Sequence, residues 1–236
     1  MTPTKAMEQY IVALLPMKLN SERVPGKNFK NFCGKPLFRW VLDTLLAVPA
    51  IDEVLINTDA RARLEAEGLE ESDRVRFVQR PEALCGDLVS MNRIIEYDVA
   101  HHQADLYLMT HTTNPLLQVS TVERALERYF EVAPANADSL FTVTKVQTRF
   151  YDGAGTPLNH DPDNLVRTQD LEPWFEENSN LYLFTRESFS ASGARIGRHP
   201  VMLETEPFES TDIDTPSDWA LAEVLVEHYR RTGKLA

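Results

Sequence analysis

The sequence predicts an α/β fold in which helices cover both faces of a mainly parallel β-sheet. Short apolar runs alternate with segments of helical period along the 236 residues, an order typical of consecutive βαβ units. The first apolar run, residues 10–15, has the length and composition of a buried strand. Ligands of such sheets bind beyond the carboxyl ends of the strands, so we expect the functional residues there.

The other strands are predicted from short apolar runs bounded by polar or turn-forming residues. They cover residues 54–59, 75–78, 105–110, 139–146, 180–185 and 201–205. The run at 54–59 ends in polar residues, and Arg80 with Pro81 ends the run that follows it.

The helices are predicted from apolar residues at helical spacing, between residues that favour helix ends. They cover residues 37–46, 60–67, 90–102, 120–130, 186–192 and 216–231. Gly68 ends the second helix, and Ser120 with Glu123 predicts a capping box on the fourth. Thr215 and Pro216 predict the N-cap and the first turn of the last helix.

The length predicts a single domain over residues 1–236. One segment, at about 147–179, interrupts the alternation of strands and helices. It is rich in Pro, Asp, Asn and Gly, and it is too long for an ordinary connection. We therefore expect an excursion from the domain that is used for binding or for contact with a second subunit.

The composition excludes several classes of function. A net charge of −12 argues against general binding of nucleic acid. No run approaches the ~20 apolar residues of a membrane helix, and the N-terminus lacks an apolar signal core, so we expect neither membrane insertion nor export. Two cysteines, Cys33 and Cys85, predict reduced thiols in a cytoplasmic protein.

A basic loop follows the first strand. Its cations are Lys18, Arg23, Lys27, Lys30 and Lys35, and with Glu22 as the only acid they give residues 18–35 a net charge of +4. The loop also carries Ser21 and Asn28, which favour turns and hydrogen bonds. A basic loop at this place suggests a site for a polyanion, and a solvated lysine-rich turn is the alternative.

A carboxylate pair lies near the other end of the chain. Asp212 and Asp214 are two positions apart, so in an extended segment both side chains point to one side. Two carboxylates so placed repel each other unless a cation lies between them. Oxygen ligands of this kind suit Mg²⁺. From spacing alone, two solvated acids beside a helix cap remain equally open.

The basic loop and the carboxylate pair together suggest Mg²⁺-dependent chemistry on a nucleoside triphosphate. The sequence contains no GxxxxGK[ST] phosphate loop, no GxGxxG dinucleotide motif and no GxSxG nucleophile motif. None of these three motifs therefore accounts for the basic loop and the carboxylate pair.

Residues 16–28 (PMKLNSERVPGKN) resemble the P-A-R-G-G-S-x-R-[IV]-P-x-K-N signature of the acylneuraminate (CMP-sialic acid) cytidylyltransferases. Further similar motifs follow in the family's order: residues 34–37 (GKPL), 57–59 (NTD), Arg80 and Pro81 with Asp87 and Ser90, 111–116 (HTTNPL), 167–169 (RTQ), 178–182 (NSNLY) and 209–216 (ESTDIDTP). These motifs cover most of the chain.

The resemblance implies a three-layer Rossmann-like nucleotidyltransferase fold and a reaction between CTP and an acidic 2-keto sugar, giving a CMP-sugar and pyrophosphate. It assigns the triphosphate to Lys18, Ser21, Arg23 and Lys27, the cytidine side to Asn28, Arg80 and Ser90, the sugar side to His111, Lys145, Arg167, Gln169 and Tyr182, and Mg²⁺ to Asp212 and Asp214. It also implies a homodimer, in which the excursion reaches the second subunit.

Several of these residues have structural alternatives. Arg80 could only precede a proline turn, Lys145 could be a solvated charge, and Tyr182 lies between two leucines and could belong to the core. Arg167 and Gln169 could instead make a subunit contact. His111 could be a polar cap at a strand end.

The sequence also departs from the family pattern. Lys18 replaces an arginine and so loses a bidentate fork for phosphate. Leu19 and Asn20 replace a glycine pair, Met17 replaces an alanine, and His111 replaces a glutamine. Three interpretations follow. The first is a nonulosonate cytidylyltransferase, the second an octulosonate cytidylyltransferase, against which Asn28 argues, and the third a nucleotide-binding homologue without catalysis.

Overall fold

The computed structural model describes residues 9–86, 88–133 and 136–233. Asp87, one of the residues that resemble the family's motifs, lies outside the described residues. The same holds for residues 1–8, on which the expectation of no export partly depends.

A seven-stranded sheet forms the centre of the molecule. Its strands are β1 (Ile11–Leu14), β4 (Glu53–Thr58), β5 (Val75–Gln79), β6 (Leu106–Met109), β7 (Ser139–Val146), β8 (Trp174–Phe184) and β9 (Pro200–Glu204), and a small separate hairpin is formed by β2 (Asn31–Phe32) and β3 (Lys35–Pro36). The order of the strands in the large sheet is β5-β4-β1-β6-β8-β7-β9. Strand β8 runs antiparallel to both of its neighbours, while all other pairs in the large sheet are parallel. The predicted α/β fold with a mainly parallel sheet is therefore confirmed.

The described residues form six α-helices: α1 (Leu37–Ala47), α2 (Arg61–Ala66), α3 (Met91–His101), α4 (Val119–Val132), α5 (Arg186–Ser192) and, after the last strand, α6 (Pro216–Arg231). Within the described part of the chain, no helix is both long enough and apolar enough to span a membrane. The bounds of these six helices lie within two residues of those predicted from helical periodicity.

The first strand shows why the fold has three layers. Ile11 and Ala13 pack in one hydrophobic cluster with residues of α1, whereas Val12 and Leu14 pack in another with residues of α3. Because successive side chains of a strand point to opposite faces, a strand that is apolar throughout needs a helix layer on each side.

Two predicted caps have different outcomes. Thr215 accepts a hydrogen bond from the backbone N–H of Asp218, whose carboxylate accepts from the N–H of Thr215, so the predicted start of α6 is confirmed. The capping box predicted from Ser120 and Glu123 is wrong, because α4 already begins at Val119 and Gln118 occupies the N-cap position without a side-chain bond.

The excursion is shorter than predicted. Strand β8 begins at Trp174, so residues 174–179 belong to the sheet and the excursion covers 147–173. A short 3₁₀ helix, Thr168–Asp170, lies within it. The ring of Phe150 stacks on that of Trp174, the first residue of β8, with centroids 5.0 Å apart. This contact attaches the excursion to the start of the strand.

Candidate active site

The basic loop leaves the sheet alongside β4. The N–H of Leu15 donates to the carbonyl of Leu55 at 2.9 Å, and that of Met17 donates to the carbonyl of Asn57 at 3.0 Å. Two residues later, the N–H of Leu19 donates to Oδ1 of Asp59 at 2.7 Å. The loop is therefore held at the carboxyl end of the parallel strands, where ligands of such sheets bind.

Asn28 holds the two sides of the loop together. Its Nδ2 donates to the carbonyl of Lys18 at 2.8 Å, and its Oδ1 accepts from the hydroxyl of Thr112 at 2.7 Å. Gly26, at φ 63°, supplies the left-handed turn that starts the short 3₁₀ helix carrying Lys27 and Asn28. Because both side-chain groups of Asn28 are bonded, its role in this structure is to shape the loop.

Two cations of the loop meet on one carboxylate. Nη2 of Arg23 lies 2.9 Å from Oδ2 of Asp214, and Nζ of Lys27 lies 3.2 Å from Oδ1 of the same residue. Lys27 is buried and also donates to the carbonyl of Ile213 at 2.6 Å. The structure thus brings together the basic loop and the carboxylate pair, which are almost the length of the chain apart.

The cap of α6 positions the carboxylate pair. Oδ2 of Asp218 accepts from the N–H groups of Asp214 and Thr215 at 3.1 and 2.6 Å. On the other side, the N–H of Ile213 donates to the carbonyl of Thr113 at 2.9 Å. These contacts hold the backbone of residues 213–215, from which the side chain of Asp214 extends.

Asp212 has an unusual environment for an acid. Burial raises the pKa of its carboxyl, although the Thr113 hydroxyl and the Lys27 ammonium oppose the shift. Among the described residues its Oδ1 has no hydrogen-bond partner, although that atom is buried. A cation beside this oxygen would compensate for the cost of burying it.

The pair fits a hard divalent cation. Within the described part of the chain, no three His, Cys, Asp or Glu residues surround a single metal position. Mg²⁺ usually takes only one or two carboxylates from the protein and completes its shell with water and substrate phosphates. Asp212 and Asp214 offer oxygen ligands only, and one of these oxygens, Oδ1 of Asp212, is buried without a hydrogen-bond partner among the residues that the structure describes.

Arg80 lies beneath the basic loop. Its guanidinium donates from Nε to Oδ1 of Asn57 at 2.8 Å, and from Nη2 to the carbonyls of Asn57 at 2.8 Å and Met17 at 3.1 Å. Burial lowers the pKa of Arg80. Because all these acceptors are protein atoms, Arg80 here supports the loop through Met17.

A buried acid completes this network. Nδ2 of Asn57 donates to Oδ1 of Asp98 at 2.6 Å. Burial raises the pKa of Asp98 to about 7, while Asn57, Arg80 and His101 oppose that shift. The order of contacts from α3 to the loop is therefore Asp98, Asn57, Arg80 and Met17.

A second group of polar residues lies at the end of β6. Nη1 of Arg195 donates to Nε2 of His111 at 3.1 Å, and Nη2 lies 3.2 Å from Oε1 of Glu177. The guanidinium carbon lies 3.9 Å from the centroid of the Tyr182 ring. The Tyr182 hydroxyl also donates to Oε1 of Glu177. Burial lowers the pKa of His111 to about 3, and the positive charge of Arg195 acts in the same direction.

His111 is consequently neutral in this structure. Arginine has no acceptor atom, so Nε2 of His111 must accept and the ring proton must be on Nδ1. The neighbouring Asp214 and Lys27 also act on the charge of His111, in opposite directions. This electrostatic coupling links the group at the end of β6 to the carboxylate pair.

Comparison of the chain with known protein families identifies its family. The family model described as cytidylyltransferase matches residues 12–231. The chain belongs to the cytidylyltransferase family. The resemblance predicted from residues 16–28 and the later motifs is thereby confirmed.

Several curated relatives are 23–28% identical to this chain. N-acylneuraminate cytidylyltransferase A of Danio rerio is 26% identical over 240 residues, which cover 99% of this chain and 54% of the relative. CMP-N,N'-diacetyllegionaminic acid synthase of Legionella pneumophila is 25% identical over 237 residues, which cover 92% of this chain and 96% of the relative. The chain spans about half the length of the fish relatives that it matches.

Solved structures share the fold of this cytidylyltransferase-family chain. CMP:2-keto-3-deoxy-manno-octonic acid synthetase complexed with CTP superposes with a TM-score of 0.66 at 16% identity, covering 93% of this chain and 99% of the other. 4-Diphosphocytidyl-2C-methyl-D-erythritol synthase from Anaerococcus prevotii superposes with a TM-score of 0.65 at 13% identity, covering 94% and 98%. The predicted nucleotidyltransferase fold is confirmed.

Three residues that the family motifs place on the sugar side lie in the excursion or beside it. Lys145 is exposed on β7, where it pairs in register with Phe175. Arg167 is exposed in the excursion and forms two bonds with Asp170, at 2.7 and 2.9 Å. Gln169 is exposed, and its carbonyl accepts from the side chain of Gln147. These three residues contact the excursion or its flanks rather than the carboxylate pair.

The remaining assigned residues lie along the basic loop and its surroundings. Lys18 is half-buried and its carbonyl accepts from Asn28. Ser21 is half-buried in the same loop, and Ser90 is exposed at the N-cap of α3 without a side-chain cap bond.

Sequence reasoning missed Arg195. It lies between α5 and β9 in a stretch without strand or helix periodicity. Its partner His111 is 84 positions away, so no local pattern signals the contact. The only available signal was an arginine that follows the strand carrying Tyr182.

Proposed function

We propose that this chain is a cytidylyltransferase that activates an acidic 2-keto sugar of the nonulosonate class with CTP. The observation that carries the proposal is the meeting of Arg23 and Lys27 on Asp214, next to the buried, unpartnered oxygen of Asp212. Cations for a triphosphate and carboxylates for a divalent ion occupy one place at the carboxyl end of the sheet. The names of the relatives support the substrate class.

The reaction joins the sugar to the α-phosphate of CTP. The oxygen of the anomeric hydroxyl forms a bond to the α-phosphorus, the bond from this phosphorus to the bridging oxygen breaks, and pyrophosphate and the hydroxyl proton leave. Catalysis of this type consists mainly of positioning and of neutralising charge. The chain therefore needs cations near the phosphates more than it needs a strong base.

The basic loop has the properties for that task. Arg23 and Lys27 are the two cations whose carboxylate partner, Asp214, is half-exposed, so a triphosphate can compete for both. Lys18 and Ser21, in the same loop, complete the proposed phosphate contacts. Asp212 and Asp214 would hold Mg²⁺, which supplies charge neutralisation on the phosphate oxygens when it is bound.

On the cytidine side, Asn28 and Arg80 act through the loop that they support. Asn28 sets the position of the Lys18 carbonyl, and Arg80 sets that of Met17. Ser90, exposed at the start of α3, remains available to a nucleotide. On the sugar side, His111 follows β6, Tyr182 pairs with Met109 at the end of β6, and both side chains contact Arg195.

The excursion supports a homodimer. The excursion exposes the apolar side chains Tyr151, Leu158 and Leu165, and the start of β8 beside it exposes Trp174 and Phe175, each at least 40% exposed. Arg167 and Gln169 lie on the same segment, where a partner subunit could bring its own sugar close to them. Cys33 and Cys85 are free thiols, which supports the expected cytoplasmic location.

Pyrophosphate release tests the proposal. The chain is incubated with CTP, Mg²⁺ and a panel of nonulosonic acids, one octulosonic acid and neutral hexoses, with ATP, GTP and UTP as nucleotide controls. We expect release with CTP and at least one nonulosonic acid, and none with a neutral sugar. Release of pyrophosphate with the octulosonic acid alone would favour an octulosonate cytidylyltransferase. CTP binding without release would favour a nucleotide-binding homologue without catalysis.

A further inference from the structure

Arg195 is held at the sugar side by neutral groups and by one acid. Its Nη1 donates to Nε2 of His111 at 3.1 Å and lies 3.8 Å from Sδ of Met109. The face of the guanidinium packs on the Tyr182 ring at 3.9 Å. Its only carboxylate contact within the described residues is Glu177, at 3.2 Å.

The two members of this ion pair differ in their burial. The side chain of Arg195 is 18% exposed, whereas that of Glu177 is 42% exposed. The arginine is therefore fixed by His111 and Tyr182, whereas Glu177, although it also accepts from the Tyr182 hydroxyl, is the member that solvent and a competing carboxylate can reach. A buried guanidinium needs an anion, since an unpaired buried charge is expensive, but that anion need not be Glu177.

The position of the pair adjoins the proposed phosphate site. His111 and Met109 lie at the carboxyl end of β6, which is parallel to β1 and next to it in the sheet. Lys27 and Asp214 are close enough to influence the charge of His111. Arg195, which contacts His111, therefore lies at the same edge of the sheet as the basic loop that follows β1.

We propose that Arg195 binds the carboxylate of the sugar acid and that Glu177 is the resident anion which this carboxylate replaces. The inference rests on the proposed function and deepens it, because it assigns the selection of acidic over neutral sugars to one residue. A neutral sugar cannot replace Glu177, so the resident ion pair excludes it.

The chemistry of the site suits a carboxylate. Arginine offers a planar fork of donors that matches two carboxylate oxygens, which lysine cannot do. The Tyr182 hydroxyl, released from Glu177, gains a second acceptor on the same substrate group. Lys145 and Arg167, the cations that the family resemblance places on the sugar side, are exposed and lie on β7 and in the excursion.

Kinetics of four variants test the proposal: Arg195→Met, Arg195→Lys, Glu177→Gln and, as a matched control in the same segment, the exposed Arg198→Met. We expect Arg195→Met to raise KM for the sugar acid about tenfold or more at an unchanged KM for CTP, and Arg195→Lys to lie between it and the wild type. Glu177→Gln should lower KM for the sugar acid, since the competing anion is gone. Arg198→Met should change neither value.

The opposite signs separate substrate binding from a structural brace. If the pair only braced β6 against β8, both Arg195→Met and Glu177→Gln would lower the unfolding temperature and shift KM in the same direction. That result, or a sugar KM within about twofold of wild type in Arg195→Met, would overturn the proposal. If Arg195→Met does not fold, Arg195→Lys and Glu177→Gln decide by the same criteria.

Failure of the proposed function is distinguishable from failure of this inference. A wild-type chain that releases no pyrophosphate with any sugar refutes the function. In that case, calorimetric titration of the wild type and the variants with a nonulosonic acid and with its carboxamide measures the carboxylate site directly. Preference of the wild type for the acid, lost in Arg195→Met, supports the site. Equal binding of acid and carboxamide refutes it.

Discussion

Nζ of Lys27 lies 3.2 Å from Oδ1 of Asp214, although the two residues are 187 positions apart in the chain. The ammonium is almost completely buried, with its side chain 9% exposed, whereas the carboxylate is 38% exposed. Lys27 also donates to the carbonyl of Ile213, so the pair joins the first loop of the domain to the segment before its last helix. A nucleotide that takes Lys27 as a ligand must therefore change the environment of Asp214.

Asp214→Asn should abolish turnover and leave the fold intact. The amide keeps the shape of the side chain but removes the negative charge that a divalent cation needs. We expect the rate of pyrophosphate release to fall by about 100-fold or more, as with other losses of charge stabilisation. Far-ultraviolet circular dichroism and the unfolding temperature should remain close to wild type.

The matched control for this variant is Asp43→Asn, at an exposed acid that pairs with Lys35 on the surface. It removes the same charge from the protein and should leave the rate unchanged. Equal rates in Asp214→Asn and Asp43→Asn would remove Asp214 from the site.

Asn28→Asp should weaken nucleotide binding and destabilise the protein. The aspartate can still accept from Thr112, but it cannot donate to the carbonyl of Lys18 and places a negative charge beside it. Leaving that buried contact unmade costs about 1–3 kcal/mol. We expect a lower free energy of unfolding in urea and a KM for CTP that is raised about tenfold.

Asn31→Asp is the control for Asn28→Asp. The Oδ1 of Asn31 accepts from the N–H of Gly34 at the surface, and a carboxylate preserves that bond. Both variants add one negative charge to the same loop region. If both raise the KM for CTP equally, the effect is general electrostatics and not the geometry of the loop.

The parallel part of the fold was predictable from short-range patterns. Strand β7, helix α5 and helix α6 were predicted with their observed bounds, because apolar period and the Thr215 cap act within a few residues. Strand β8 was predicted too short, because its first six residues are mostly exposed and carry no apolar alternation. The position of Ser179, at φ 56°, marks the irregularity between its two halves.

The site was predictable in its two motifs and not in their surroundings. Asp212 and Asp214 were identified by spacing, and Lys27 by its place in a basic loop. Their mutual contact depends on the tertiary fold, as do the burial of Arg80 under Met17 and the pairing of Arg195 with Glu177. Such contacts have no local sequence signal, because the residues they join belong to different elements of the sheet.

Asp98→Asn should change how stability depends on pH. The folded protein raises the pKa of Asp98 from 3.8 to about 7, so between these values the native state holds a proton that the unfolded chain releases. Stability from this residue is therefore lost as pH rises through that window. We expect Asp98→Asn to remove this loss and to raise the unfolding temperature at pH 8 relative to wild type.

Unfolding temperatures from pH 4 to pH 8 measure the effect, with Asp43→Asn as the exposed control. Asparagine at position 98 still accepts from Asn57 through its Oδ1, so the network to Arg80 survives. An Asp98→Asn variant that is less stable than wild type at pH 8 would contradict the raised pKa of Asp98, because it would show that the ionised carboxylate stabilises the native state.

His111 should not titrate in the range of an ordinary histidine. Its pKa is lowered from 6.5 to about 3, so the unfolded chain binds the proton first and stability rises with pH between these values. This contribution has the opposite sign to that of Asp98. Nitrogen-15 spectra of the imidazole should show a neutral ring, protonated at Nδ1, from pH 8 down to about pH 4.

His111→Gln should preserve the contact with Arg195, since the amide oxygen can accept the same hydrogen bond. The variant should lack the rise in stability that His111 contributes between its folded pKa of about 3 and its ordinary value of 6.5. Its KM for the sugar acid should change by less than that of Arg195→Met. An imidazole signal that titrates near pH 6.5 would contradict the neutral assignment and the direction of the Arg195 hydrogen bond.

The apolar surface exposed by the excursion and the start of β8 predicts a dimer in solution. Light scattering at micromolar concentration should give about twice the chain mass of 26.9 kDa. Leu165→Asp and Phe175→Asp place charges on that surface and should shift the mass to that of a monomer, because a stable interface of about 800 Å² per subunit does not accept unpaired charges at its centre. Val224→Asp, at a 63% exposed position on α6, adds the same charge elsewhere and should leave the dimer intact. Dissociation by Val224→Asp alone would place the interface on α6, and a wild-type mass near 26.9 kDa would refute the dimer.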